Sequence, residues 1–155
     1  MTLTRENMGY ELVKLNDDGE PFDVIDWDDT NYFRLNTEVI GIARTLSLWG
    51  AGIILNTDMI DYEATRAVLY DNQPTIEQVA KFNRLSKELK VEWIKPFTTN
   101  NEKTVASPLC IEFANNLRRG LESIQESPVR PDIDLDLLWG FVEFLQNSPN
   151  GVWLE

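Results

Sequence analysis

YFRLNTEVIGIARTLSLWGAGIIL, residues 32–55, holds only three charged side chains, Arg34, Glu38 and Arg44, in 24 positions. It reads as strand, helix, turn and strand. Asn36 is placed to cap the helix that follows strand 32–36, with Glu38 near the positive end of the helix dipole. In that helix Val39, Ile42, Ala43, Leu46 and Trp49 recur at spacings of three and four, and Ile40 and Leu48 widen the stripe, so the helix is mostly buried. Gly50 and Gly52 end it, because glycine takes the left-handed conformation common just past a helix C-terminus. Ile53, Ile54 and Leu55 then form a short apolar strand. Residues 39–55 number only 17, carry Arg44 and are broken by the two glycines, which argues for a buried helix and strand over a membrane span.

Working outward, GYELVKL at 9–15 puts Tyr10, Leu12 and, less cleanly, Lys14 on one face of a strand, with Glu11, Val13 and Leu15 on the other. NDDGE at 16–20 supplies a turn, and residues 21–27 give a second, irregular strand that completes a hairpin. Beyond the central stretch, helices are expected over 56–70 and, from the capping pair Thr75 and Gln78, over 75–89. A strand over 91–95 is stopped by Pro96, and 98–103 is a polar loop. Ser107-Pro108 starts a helix with a capping hydroxyl and a first-position proline. Its apolar stripe is Cys110, Phe113, Ala114, Leu117, Leu121 and Ile124. The last helix, 133–147, is apolar nearly all round, with Leu135, Leu138, Trp139, Val142 and Leu145 on one face and Leu137, Phe141 and Phe144 beside it. Gly140 in its middle lowers helix propensity by about 1 kcal/mol relative to alanine and predicts close contact with a neighbouring element. Val152-Trp153-Leu154 is a final strand. The elements predict a single α+β domain over 1–155: a mainly antiparallel sheet packed by about five helices.

Composition narrows the chemistry. A chain of 155 residues, 43% hydrophobic and 26% charged, is long enough for one substantial core. Its N-terminal stretch is interrupted by Arg5, Glu6, Glu11 and Lys14, which does not suit a signal peptide and predicts a cytoplasmic protein, monomeric or a small homo-oligomer. There is no histidine and one cysteine. Serine or cysteine nucleophiles activated by histidine, imidazole metal ligands and a structural zinc site are therefore excluded. The net charge of −12 is carried by the two ends of the chain, a surface that repels a phosphate backbone and argues against direct nucleic-acid binding.

The segments MGYEL, FRLNTEVIGIARTL followed by WG, FANNLRRGLESI and LLWGFVEFLQNSPNGVWLE resemble a set of small uncharacterised bacterial proteins. Those have an MGY start, an FRFN-like strand running into a helix, and an aromatic C-terminal helix and strand. The matching blocks cover about half of the chain. The chain departs from the pattern in the helix after FRLN, at the position of the pattern's usual tryptophan, and in its middle third. The resemblance implies the fold and a bacterial cytoplasmic origin, and no activity.

Function is sought in DDGEPFDVIDWDD, residues 17–29, where seven of thirteen side chains are acidic and none is basic. Calcium would use such oxygens, but the EF-hand spacing fails in either register: with Gly19 as the loop glycine, Lys14 and Ile25 occupy the first and last ligand positions. A solvated acidic surface and a partner-facing one both fit. Phe22, Val24, Ile25 and Trp27 keep the partner reading open, as aromatic anchors within steering charges do. They equally suit the inward face of the second strand, which is the favoured placement for Phe22 and Val24. Elsewhere Cys110 falls on a core stripe, Glu92 and Lys95 point to opposite faces of a strand, and the Gly50–Gly52 run follows a helix where a phosphate loop should precede one.

These readings predict a non-catalytic acidic protein with no cofactor and no metal, engaging a basic protein partner through Asp17, Asp18, Glu20, Asp23, Asp26, Trp27, Asp28 and Asp29. An immunity-type inhibitor of a basic toxin is one form of it. The alternative is a small-molecule binder or carboxylate-based enzyme with a pocket between the sheet and the C-terminal helices, reached by Trp139 or Trp153.

Overall fold

The computed structural model describes residues 9–24, 29–53, 91–125 and 134–155. Within them, strands β1 (Gly9–Lys14), β2 (Tyr32–Asn36), β3 (Lys103–Val105) and β4 (Val152–Leu154) form one sheet in the order β2-β1-β4-β3, with every pair antiparallel. Three α-helices pack with it: α1 (Thr37–Gly50), α2 (Ser107–Gln125) and α3 (Leu135–Gln146). The α+β class is therefore as expected. The helices expected over 56–70 and 75–89 lie outside the described residues.

Alternation in β1 sets which face is the core. Tyr10 and Leu12 are buried, and their cross-strand partners Leu35, Phe33 and Leu154 extend the apolar face. Lys14 shares that face at the strand's end, which is why it is half-buried. All residues of α1 from 40 to 48 are buried, as its wide stripe demands. Asn36 caps this helix, its Oδ1 accepting from the Val39 N–H at 2.8 Å.

The end of α1 differs in detail from the expectation. Gly50 belongs to the last helical turn, and Gly52 alone takes the left-handed conformation, at φ +77°. Gly52 N–H bonds to the Trp49 carbonyl and Ile53 N–H to the Leu48 carbonyl, which is a Schellman closure. Gly50 serves packing instead. A Cβ there would lie 2.0 Å from the Asn116 carbonyl oxygen of α2, and one at Gly120 of α2 would lie 2.3 Å from the Leu46 carbonyl oxygen. The two helices touch through their backbones, and Ser47 Oγ seals the contact by donating to the Phe113 carbonyl at 2.9 Å.

Arg44, only 1% exposed, sits inside this core. Its Nη1 donates to the Phe97 carbonyl at 2.6 Å, and it hydrogen-bonds with the Tyr10 hydroxyl. Burial pulls the arginine's pKa down and pushes the tyrosine's up, and each partner partly offsets the shift of the other. The guanidinium thus ties α1 to β1 and to the segment before β3. Among the described residues its Nε has no hydrogen-bond partner.

Several expected strands are not strands. Residues 91–94 form a turn leading into a short 3₁₀ helix, Lys95–Phe97. Pro96 has no N–H for a ladder, and its fixed φ suits a helical turn. Ile94 and Phe97, three apart, are both buried, a spacing that a strand would put on opposite faces. Lys103, read as the end of a loop, begins β3, which at three residues is too short to show alternation. The second strand of the N-terminal hairpin reduces to a bridge between Leu15 and Pro21, with residues 22–24 irregular and 25–28 outside the described residues. The long pairing partner of β1 is β2. Ile53 lies exposed in a bend, and 54–55 fall outside the described residues.

The apolar stripe of α2 holds where it is described, with Cys110, Phe113, Ala114, Leu117 and Leu121 fully buried; the Ile124 side chain lies outside the described residues. Burial pushes the Cys110 thiol up to about 12, so it is a core residue and a poor nucleophile. In α3, Asp134 caps the first turn by accepting from Leu137 N–H at 3.0 Å, and Leu138, Phe141, Val142, Phe144 and Leu145 are buried. Among the described residues no helix is long and apolar enough to cross a membrane.

Candidate functional site

The acidic segment is held in a defined shape. Asn16 Oδ1 accepts from the backbone N–H groups of Asp18 and Glu20 at 2.9 and 3.1 Å, and Asn16 N–H donates to the Glu20 carbonyl at 2.7 Å. Gly19 completes the turn at φ +79°, a conformation that a side chain would disfavour. Asn150 Nδ2, from the turn before β4, reaches across to the Asp17 carboxylate at 3.1 Å. Asp17, Asp18, Glu20 and Asp23 are exposed. Holding these charges in place before binding lowers the ordering cost that a flexible acidic tail would meet.

Both ends of the loop meet at the backbone of Lys14. Its N–H donates to the Asn31 carbonyl at 2.9 Å, and its carbonyl accepts from Phe22 N–H at 3.0 Å. Phe22 was expected on the inward face of a strand, with Val24 beside it. Instead its side chain is 40% exposed, while Val24 is half-buried. Pro21 limits pairing with β1 to a single bridge, so no strand exists to turn Phe22 inward. Asp29 departs from the group: it is half-buried, and its Oδ1 accepts from Asn31 N–H at 2.8 Å, closing its own turn. Asp26, Trp27 and Asp28 lie outside the described residues.

Beside the turn, between the β1–β2 edge and α3, runs a groove of about 340 Å³. Phe33 and Phe144 line it with ring centroids 5.4 Å apart, Gly140 leaves it open, and Lys14, Glu143 and Asn147 stand at its rim. Lys14 Nζ lies 5.1 Å from the Phe144 ring centroid. Burial pulls the Lys14 pKa down, and the Glu143 carboxylate counters in part. A recess between the sheet and a C-terminal helix was expected for a small-molecule site, but neither Trp139 nor Trp153 is among its described lining residues. Sequence reasoning did not find this groove, although it had marked both of its irregularities: a lysine on the apolar face of β1 and a glycine inside an apolar helix.

A second, smaller recess of about 190 Å³ at the end of the sheet is lined by Glu11, Glu102 and Glu155 with Gly9 and Asn100. Two of its carboxylates are already engaged. Glu11 Oε1 accepts from the Tyr32 hydroxyl at 2.7 Å, and Glu155 Oε2 accepts from Trp153 Nε1 at 2.8 Å. Burial and this bond to Glu11 push the Tyr32 pKa up. Among the described residues no three His, Cys, Asp or Glu side chains converge as metal ligands would. No family model, curated protein or solved structure matches the chain.

Proposed function

We propose that this chain is a non-catalytic binding protein that receives a basic protein surface on the turn carrying Asp17, Asp18, Glu20 and Asp23. An immunity-type inhibitor that neutralises a basic toxin is the form most in keeping with this chemistry. The observation that carries the reading is Phe22, a large apolar side chain 40% exposed among exposed carboxylates on a turn braced by Asn16 and Asn150. A merely solvating charge run has no use for an exposed aromatic or for a fixed backbone, whereas an interface uses one as an anchor and the other as preorganisation. Among the described residues no cation is paired with Asp18, Glu20 or Asp23, so their field is directed at solvent and steers a cationic partner.

Affinity capture from the native host, followed by titration of the recovered partner against the Asp17→Asn, Asp18→Asn, Glu20→Gln, Asp23→Asn variant, tests the proposal. A basic partner whose affinity falls at least about tenfold supports it. A partner that is acidic, or that binds the variant as tightly as the wild type, refutes it.

A further inference from the structure

The groove between the β1–β2 edge and α3 is open because residue 140 is glycine, and the packing around that glycine does not require one. At Gly50 and Gly120 an added Cβ would strike backbone oxygen at 2.0 and 2.3 Å. At Gly140 it would meet, among the described residues, the edge of the Phe33 ring at 3.4 and 3.6 Å, which is ordinary contact. The backbone at Gly140 is plain helix, without the positive φ of Gly19, Gly52 and Gly151. A glycine that weakens its helix and answers no steric need is best accounted for by the space it leaves. That space has an apolar wall, Phe33 and Phe144, and a polar rim in which the Lys14 and Glu143 charges offset one another.

We infer that this groove is the anchor pocket of the interface, taking a large apolar side chain, such as tryptophan, that projects from between basic residues of the partner. The inference rests on the binding role proposed for the acidic turn and specifies what that partner presents. The groove and the turn are linked by two short stretches of chain. Lys14 lines the groove with its side chain while its backbone closes the acidic loop, and Asn147 lines the groove three residues before Asn150, which holds the Asp17 carboxylate. A near-neutral apolar recess bordered by exposed carboxylates complements an apolar residue flanked by lysine or arginine. It also has the anatomy of an interface hot spot, a desolvated centre within a charged rim.

The probes are two synthetic peptides of equal charge, lysines flanking either a central tryptophan or a central alanine, titrated by calorimetry against the whole chain. The tryptophan peptide is expected to bind at least about tenfold tighter than the alanine peptide. Gly140→Leu, which fills the groove, is expected to abolish that preference and leave the charge-driven affinity of both peptides intact. Gly140→Ala, with a side chain the structure accommodates, reduces the preference in part and guards against misfolding of the larger variant. Neutralising Asp17, Asp18, Glu20 and Asp23 weakens both peptides alike. If both peptides bind equally, or the preference survives in both Gly140 variants, the anchor pocket is refuted while the acidic-turn reading stands. If neither peptide binds, or binding ignores the neutralised turn, both fall.

Discussion

Where α1 crosses α2, backbone meets backbone; where α3 passes the β1–β2 edge, the same residue type leaves a gap. Gly50 and Gly120 are present because carbonyl oxygens occupy the positions that a Cβ would take, at 2.0 and 2.3 Å. Gly140 faces, among the described residues, a phenylalanine ring at 3.4 Å. A glycine inside a helix thus has two opposite meanings, closest approach or open space, and only its neighbours tell them apart. The first region is built for stability: Ser47 bonds across it to a backbone carbonyl of α2, and Arg44 of α1 bonds to the Phe97 carbonyl of the segment before β3. The second combines a groove, an exposed aromatic side chain and exposed carboxylates, a combination that contributes little to folding.

The α1–α2 crossing is most sensitive at Gly120. Gly120→Ala is expected to cost about 3 kcal/mol or prevent folding, because helix separation has to increase to relieve the contact with Leu46. Thermal or urea unfolding measures it, and a loss within about 0.5 kcal/mol would show that the helices do not touch as described. Arg44→Ala comes next, at about 3 kcal/mol from the cavity and from the stranded Phe97 carbonyl. Gly140→Ala has the opposite sign: removing the glycine raises stability by about 1 kcal/mol, read in the same experiment. A loss of stability there would mean that this glycine also serves packing.

Cys110 tests the packed region without altering it. Its folded pKa of about 12 lies above the ordinary 9.0, so above pH 9 the unfolded chain loses the thiol proton before the folded chain does. This group's contribution is full below pH 9 and declines as pH rises toward about 12, and Cys110→Ala removes that part of the alkaline loss. In the native state the thiol resists a disulfide reagent, and it reacts on unfolding. The smallest expected effect on folding is at the acidic turn. Neutralising Asp17, Asp18, Glu20 and Asp23 changes stability by less than about 0.5 kcal/mol, since these side chains are exposed and lack cationic partners among the described residues.

How much was legible in the sequence follows the same division. The packed region declared itself through periodicity: the stripes of α1 and α2 and the Asn36 cap stand as read, because burial along a helix follows from spacing alone. What failed was short or non-periodic. Pro96 turned an apolar run into a 3₁₀ turn, Pro21 cut a hairpin to one bridge, and β3 was too short to alternate. Arg44 was visible as a charge in an apolar helix, but its bonds to Phe97 and Tyr10 join residues distant in the chain, which no local pattern reports. For the site, the turn with Asp17, Asp18 and Glu20 was readable from NDDGE, whereas the groove beside it depends on two departures from pattern, Lys14 and Gly140, meeting in space.

The proposed role of the acidic turn is to steer and hold a basic partner. Its most direct test is the association rate of the captured partner, measured from about 50 to about 300 mM salt for the wild type and for the variant neutralised at Asp17, Asp18, Glu20 and Asp23. The wild-type rate is expected to fall steeply with salt and the variant rate to be slower and nearly flat. Equal rates with equal salt dependence would contradict that role.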